Sequence, residues 1–144
     1  MVVIVCLDRA GGMMFNGRRQ SRDKAVMERI QQICMGGTLW IAHGSYALCQ
    51  GLEQVHLAED GMFLQKAENG EFCFVESGGL APVAGRIEEI IVFYWNRDYP
   101  ADTYLDLDLS KWKKGSVQEF PGSSHERITE VHYTPDGQDG SALP

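Results

Sequence analysis

The sequence has no CxxC pair, no HxH or HExxH spacing, and no apolar run near the ~20 residues that a membrane-spanning helix needs. Each absence removes a class of protein. The four cysteines, Cys6, Cys34, Cys49 and Cys73, lie at least 15 positions apart, which argues against a zinc knuckle or a redox dithiol and leaves them as small buried hydrophobes. The four histidines, His43, His56, His125 and His132, are equally dispersed, so no metal is expected. Positive charge is scarce: 13 Lys+Arg against 20 Asp+Glu give a net charge of −7. That balance argues against general nucleic-acid binding, which rests on neutralising phosphates. Val2 to Leu7 is too short for a signal-peptide core and has no basic lead-in, so it reads as a buried strand. The expectation is a cytoplasmic protein with neither a membrane nor a nucleic-acid partner.

What is present fits one domain. A chain of 144 residues, 44% hydrophobic and 23% charged, is long enough for one core and too short for two. The domain is expected over 1–134, with 135–144, polar and glycine-rich, as a flexible tail.

Val2–Leu7 is continuous and β-branched, as in a strand covered on both faces. Ala10 to Arg19, with three glycines, reads as a loop. Ser21 offers an N-cap, and Val26, Met27, Ile30, Ile33 and Cys34 follow at helical spacing until Gly36-Gly37 closes the helix. Thr38–Ala42 predicts a second buried strand and Ser45 to Gln50 a short helix. Glu53–Leu57, Met62–Lys66 and Glu71–Val75 read as short strands separated by the turn dipeptides Asp60-Gly61 and Asn69-Gly70. Pro82 to Gly85 leaves room for a helical turn or two. Ile87–Trp95 is a long central strand, and Thr103–Leu107, Val117–Phe120 and Arg127–Tyr133 complete the set. Strand and helix alternate first and strands alone follow, which indicates an α/β fold, parallel at its start and antiparallel at its end.

Asp23 is the most informative residue. It falls on the same face as Val26, Met27, Ile30 and Cys34, three, four, seven and eleven positions later. One reading is an acid that favours the positive end of the helix dipole. The other is a site carboxylate whose pKa is raised by burial and suited to proton transfer. Arg18, Arg19 and Arg22 stand beside glycines and a helix start, where they either hold an anion or form a solvated basic loop. The turns Ala42-His43-Gly44-Ser45-Tyr46 and Ser77-Gly78-Gly79 follow expected parallel strands, where open α/β sheets bind ligands. The run Ser123-Ser124-His125-Glu126 invites a Ser–His–Glu reading, but adjacent side chains diverge, and a tight loop between antiparallel strands is the better account.

The order of elements resembles dihydrofolate reductase over roughly residues 2–134. Asp8-Arg9-Ala10-Gly11-Gly12-Met13 resembles that family's mobile loop after the first strand, and Gln20-Ser21-Arg22-Asp23 its helix-opening L-P-x-D, which implies that Asp23 is the active-site acid. Leu39 to Tyr46 resembles the strand and turn ending in G-R-x-T-W, with Ala42, His43, Ser45 and Tyr46 at the G, R, T and W positions. Phe74 to Gly79 resembles the strand leading to the cofactor-touching glycine pair. Ile90–Trp95, Ala101-Asp102-Thr103-Tyr104, Trp112 and Glu119-Phe120 are similar to the family's final strand, D-T-x-F, Trp and E-F. The resemblance implies an α/β single domain of the dihydrofolate-reductase type, with a mostly parallel central sheet, antiparallel C-terminal strands and few helices. It also implies NADPH as cofactor, held by Arg18, His43, Ser45, Ser77, Gly78 and Gly79.

The departures are specific. His43 replaces the basic residue that holds the cofactor's phosphate, and Phe93 replaces the hydroxyl that anchors the pterin. No arginine follows the short helix to hold a folate tail, and the segment before Glu71 is shortened. The chain resembles a trimmed, divergent member of the kind found among small bacterial proteins. Two functions are expected from this: a retained nucleotide or small-molecule cleft without efficient folate reduction, or an NADPH-dependent reductase acting on dihydrofolate or another small substrate.

Overall fold

Val2–Leu7 forms β1 at the centre of a seven-stranded sheet, and a sequence apolar on both faces is what that position requires. The fold was obtained as a computed structural model and is described for residues 1–53, 55–58 and 62–135. β2 (Gly12–Phe15) and β3 (Arg18–Arg19) follow, then α1 (Lys24–Cys34), β4 (Leu39–Ala42), β5 (Val55–Ala58), the single-turn α2 (Phe63–Lys66) and β6 (Phe72–Phe74). A 3-10 segment at Ala81–Arg86 leads to β7 (Glu89–Tyr94), β8 (Thr103–Tyr104), β9 (Trp112–Phe120) and β10 (Ile128–Pro135). The large sheet runs β5-β4-β6-β1-β7-β10-β9. Its first five strands are mutually parallel, and β10 and β9 join antiparallel, as the order of elements predicts.

Two apolar layers cover the sheet. On one face α1 sets Val26, Ile30 and Cys34 against Ile4, Ile91, Phe93, Trp95 and Ile128. Burying a side chain such as Ile30 there contributes about 1.5–3 kcal/mol. On the other face Phe63, Leu64, Leu80 and Val83 pack over Val3, Val5, Ile90 and Val92. Burial pushes the thiols of Cys34, Cys49 and Cys73 up to about 12, in keeping with inert packing groups.

Several local expectations are corrected. Ala10 to Arg19 is not a plain loop: β2 and β3 form a hairpin that β8 extends into a second, three-stranded sheet. Its turn is Asn16-Gly17, both at positive φ (54° and 73°), a hairpin dipeptide hidden by the surrounding glycines. Met62–Lys66 is helical at Phe63–Lys66, because Phe63 and Leu64 are adjacent apolar anchors and none of these residues is β-branched. Ser45 to Gln50 is replaced by a 3-10 turn, His43–Ser45, and irregular turns. β9 starts at Trp112, five residues before the expected Val117, and Thr103–Leu107 shrinks to the two residues of β8. Asp60-Gly61 and all of the expected tail except Pro135, which ends β10, lie outside the described residues. Among the described residues no helix is long and apolar enough to cross a membrane.

Candidate functional site

The first turn of α1 is built around Asp23, which is the N-cap itself; Ser21 lies two residues outside. Its backbone is extended (φ −153°, ψ 126°), and Oδ1 accepts from the N–H groups of Ala25 at 2.9 Å and Val26 at 3.4 Å. The turn between β9 and β10 closes over the same carboxylate. Oδ1 also accepts from the N–H of Ser123 at 2.9 Å and from its hydroxyl at 3.0 Å. Oδ2 accepts from Ser124 N–H and from His125 Nδ1, both at 2.8 Å. Asp23 is only 2% exposed. Burial alone would raise its pKa, but the donors from Ser123, His125 and Ser124 outweigh it and hold the carboxyl well below the usual carboxylate range. The expected upward shift is therefore reversed: the sequence places the acid on the buried face, but the donors come from a turn 100 residues away.

His125 is the residue that sequence reasoning missed. An ionised Asp23 only accepts, so Nδ1 carries the proton and, in the neutral ring, Nε2 is left as an acceptor. Ser21 Oγ lies 3.1 Å from Nε2 and the Tyr99 hydroxyl 3.0 Å. The ring stacks on Trp95, centroids 4.7 Å apart at 19°, and is 5% exposed. The Ser123–Glu126 run does form a tight turn, as expected, yet its histidine pairs with Asp23 and Ser21 at the start of α1 and with Tyr99 after β7.

Beside Asp23, between Cys6, Val26, Phe74 and Trp95, lies a cavity of about 20 Å³, enough for one water. Next to it a cleft of about 1120 Å³ opens over the C-terminal ends of β4 and β6. Arg18, Ser45, Ser77, Gly78 and Gly79 line it, joined by Ser21, Arg22, Ser124 and the apolar Met14, Phe63 and Leu64. Gly79 has φ +100°, a conformation that side-chain-bearing residues avoid. His43 is exposed on the 3-10 turn and does not line the cleft.

Glu76 changes the electrostatics of this cleft, and sequence spacing gave no hint of its partners. Arg19 grips it at 2.6 and 2.9 Å through Nε and Nη2, and Nη2 also donates to Gly44 O at 3.2 Å. Ser45, 2% exposed, donates its hydroxyl to the same carboxylate at 2.7 Å. The Arg19 and Glu76 charges cancel. Arg18 and Arg22 make no ion pair among the described residues, so the cleft keeps two uncommitted cations in a chain of net charge −7.

No family model matches the sequence, and no curated protein does. Among solved structures, the dihydrofolate reductase from Enterococcus faecalis complexed with NADP(H) and RAB-propyl superposes with a TM-score of 0.65 at 11% identity. The match covers 94% of this chain and 96% of that one. The strand order, the antiparallel C-terminal pair and this superposition agree: the chain is a divergent protein of the dihydrofolate-reductase fold.

Proposed function

We propose that the chain binds an anionic nucleotide-type small molecule, with NADPH as the leading candidate, in the cleft over β4 and β6. One observation carries this reading: Arg18 and Arg22 make no ion pair among the described residues and line a cleft that also presents the Ser77-Gly78-Gly79 turn, at the C-terminal ends of parallel strands, where open α/β folds take ligands. Phosphates match two free guanidiniums and exposed backbone N–H groups, and the apolar wall of Met14, Phe63 and Leu64 suits a ring. The Enterococcus protein of the same fold is described with NADP(H) bound. Affinity is expected to be modest, since Ser45 is spent on Glu76 and His43 offers no guanidinium.

Reduction of folate does not fit this chain. The cavity beside Asp23 has room for about one water and not for a bicyclic ring, and Phe93, fully buried against Phe120, has no hydrogen bond to offer a pterin. A reductase acting on another substrate would have to bring its own proton donor, because Asp23 is saturated with protein donors.

Titration of the protein into NADPH, followed by dihydronicotinamide fluorescence, tests the binding. Saturable, salt-weakened binding is expected, with a loss of about tenfold for each of Arg18→Ala and Arg22→Ala, the worth of one charge-assisted hydrogen bond. Absence of saturable binding to NADPH, NADH and ATP alike would overturn the reading.

A further inference from the structure

The geometry points to a catalytic activity at the cleft wall, beyond ligand binding: Ser21, His125 and Asp23 form a nucleophile–base–carboxylate relay competent to cleave small carboxylic esters. The three contacts are in place. Ser21 Oγ is 3.1 Å from His125 Nε2, and His125 Nδ1 is 2.8 Å from Asp23 Oδ2. Asp23 is held by the Ser123 and Ser124 N–H groups, so it fixes the imidazole's tautomer and orientation without being available to a ligand. The Trp95 ring backs His125 and keeps its plane aligned. These residues come from two segments: Ser21 and Asp23 precede α1, and His125 is brought to them from the turn after β9, about 100 positions later.

Access and charge are also provided. Ser21 is half-buried and lines both the small cavity and the large cleft, so a substrate carbonyl in the cleft meets the hydroxyl at the wall. Arg22, next in the chain and without an ion pair among the described residues, lines the same cleft and supplies positive charge for a developing oxyanion. Together with Arg18 it selects esters that carry an anionic group.

The chemistry balances with water as the only co-reactant. Ser21 Oγ bonds to the ester carbonyl carbon while its proton moves to His125 Nε2 and the carbonyl π pair becomes the oxyanion. Collapse breaks the carbon–alkoxide bond, and the leaving alcohol takes the proton from Nε2. Water then gives a proton to Nε2 and attacks the acyl-Ser21. Release of the carboxylic acid restores Ser21 as the proton returns to it. Asp23 stays ionised throughout and acts as a positioning residue. Tyr99, which also reaches Nε2 at 3.0 Å, competes with Ser21 for that lone pair and tempers the rate.

A fluorophosphonate probe, with adducts mapped by peptide mass spectrometry, tests the relay directly. The folded wild-type protein should carry one adduct, at Ser21, that is absent after unfolding in urea and in Ser21→Ala. His125→Gln should slow labelling by about 100-fold, the contribution of a general base. Lack of an adduct at Ser21, an adduct at Ser123 or Ser124 instead, or an undiminished rate in folded His125→Gln would overturn the proposal. If His125→Gln does not fold, the comparison of folded with urea-unfolded wild type decides, since equal labelling of Ser21 in both removes any role for the relay. For Asp23, the readout is a strongly downfield imidazole N–H proton resonance in the wild type; its absence would remove Asp23 from the relay. None of these measurements depends on nucleotide binding, so either proposal can fail alone.

Discussion

His125 Nδ1 donates to Asp23 Oδ2 at 2.8 Å and so joins the turn after β9 to the N-cap of α1, across 102 positions of sequence. Both groups are buried.

Asp23→Asn replaces an acceptor-only group with one that turns an NH2 toward N–H donors. Loss of the cap and of a buried, fully bonded charge together predict a destabilisation of roughly 3–5 kcal/mol in urea denaturation. The carboxyl's depressed pKa makes its contribution complete above the unfolded value of about 3.9 and progressively lost as pH falls below it. Wild type should therefore lose stability below about pH 4 more steeply than the variant does. Equal stability of the two proteins at pH 7 would refute this.

Gly122 is fixed by steric contact. A Cβ there would sit 2.5 Å from Asp23 Oδ2 and 2.8 Å from the His125 carbonyl oxygen. Gly122→Ala should cost about 1–3 kcal/mol, the usual range for overpacking. Gly44→Ala, where a Cβ meets nothing within 4 Å, is the matched control and should change the melting temperature little.

His132 links two carboxylates, Nδ1 to Glu89 at 2.7 Å and Nε2 to Glu130 at 2.6 Å, an arrangement that needs both nitrogens protonated. Burial opposes the charge, but Glu130 and Glu89 prevail and raise the pKa above its ordinary value. The resulting stability is present below the unfolded value near 6.5 and lost as pH rises through the higher folded value. Denaturation curves from pH 6 to 9 should show wild type falling relative to His132→Gln. Parallel curves would mean that the bridge contributes nothing.

Dihydrofolate should not be reduced. With NADPH and dihydrofolate present, the protein should give no loss of dihydronicotinamide absorbance above background. Turnover that survives repurification and disappears in Asp23→Asn would show that the small cavity opens.

The sheet was largely legible because β1, β4 and β7 are apolar on both faces and so belong inside a sheet rather than at its edge. The helix was legible from Val26, Ile30 and Cys34, four apart. Ser21 and Asp23 both suit an N-cap, and the choice between them rests on Ser123 and Ser124, which no local pattern connects to either. The same holds for Glu76, whose partners Arg19 and Ser45 lie 57 and 31 positions away. Periodicity reports which face is buried. It does not report which distant donor meets a carboxylate there, and that decides the chemistry of Asp23, His125 and Glu76.

The position of β1 also sets the order in which the fold is assembled. Val2 pairs with Phe72 on one side and Glu89 on the other, so the most apolar strand leaves the ribosome long before either neighbour exists. Until β6 and β7 have emerged the growing chain carries that segment with an open flank, a state prone to association with other chains. β6 can cover one flank of β1 first, and the second flank stays open until β7 follows.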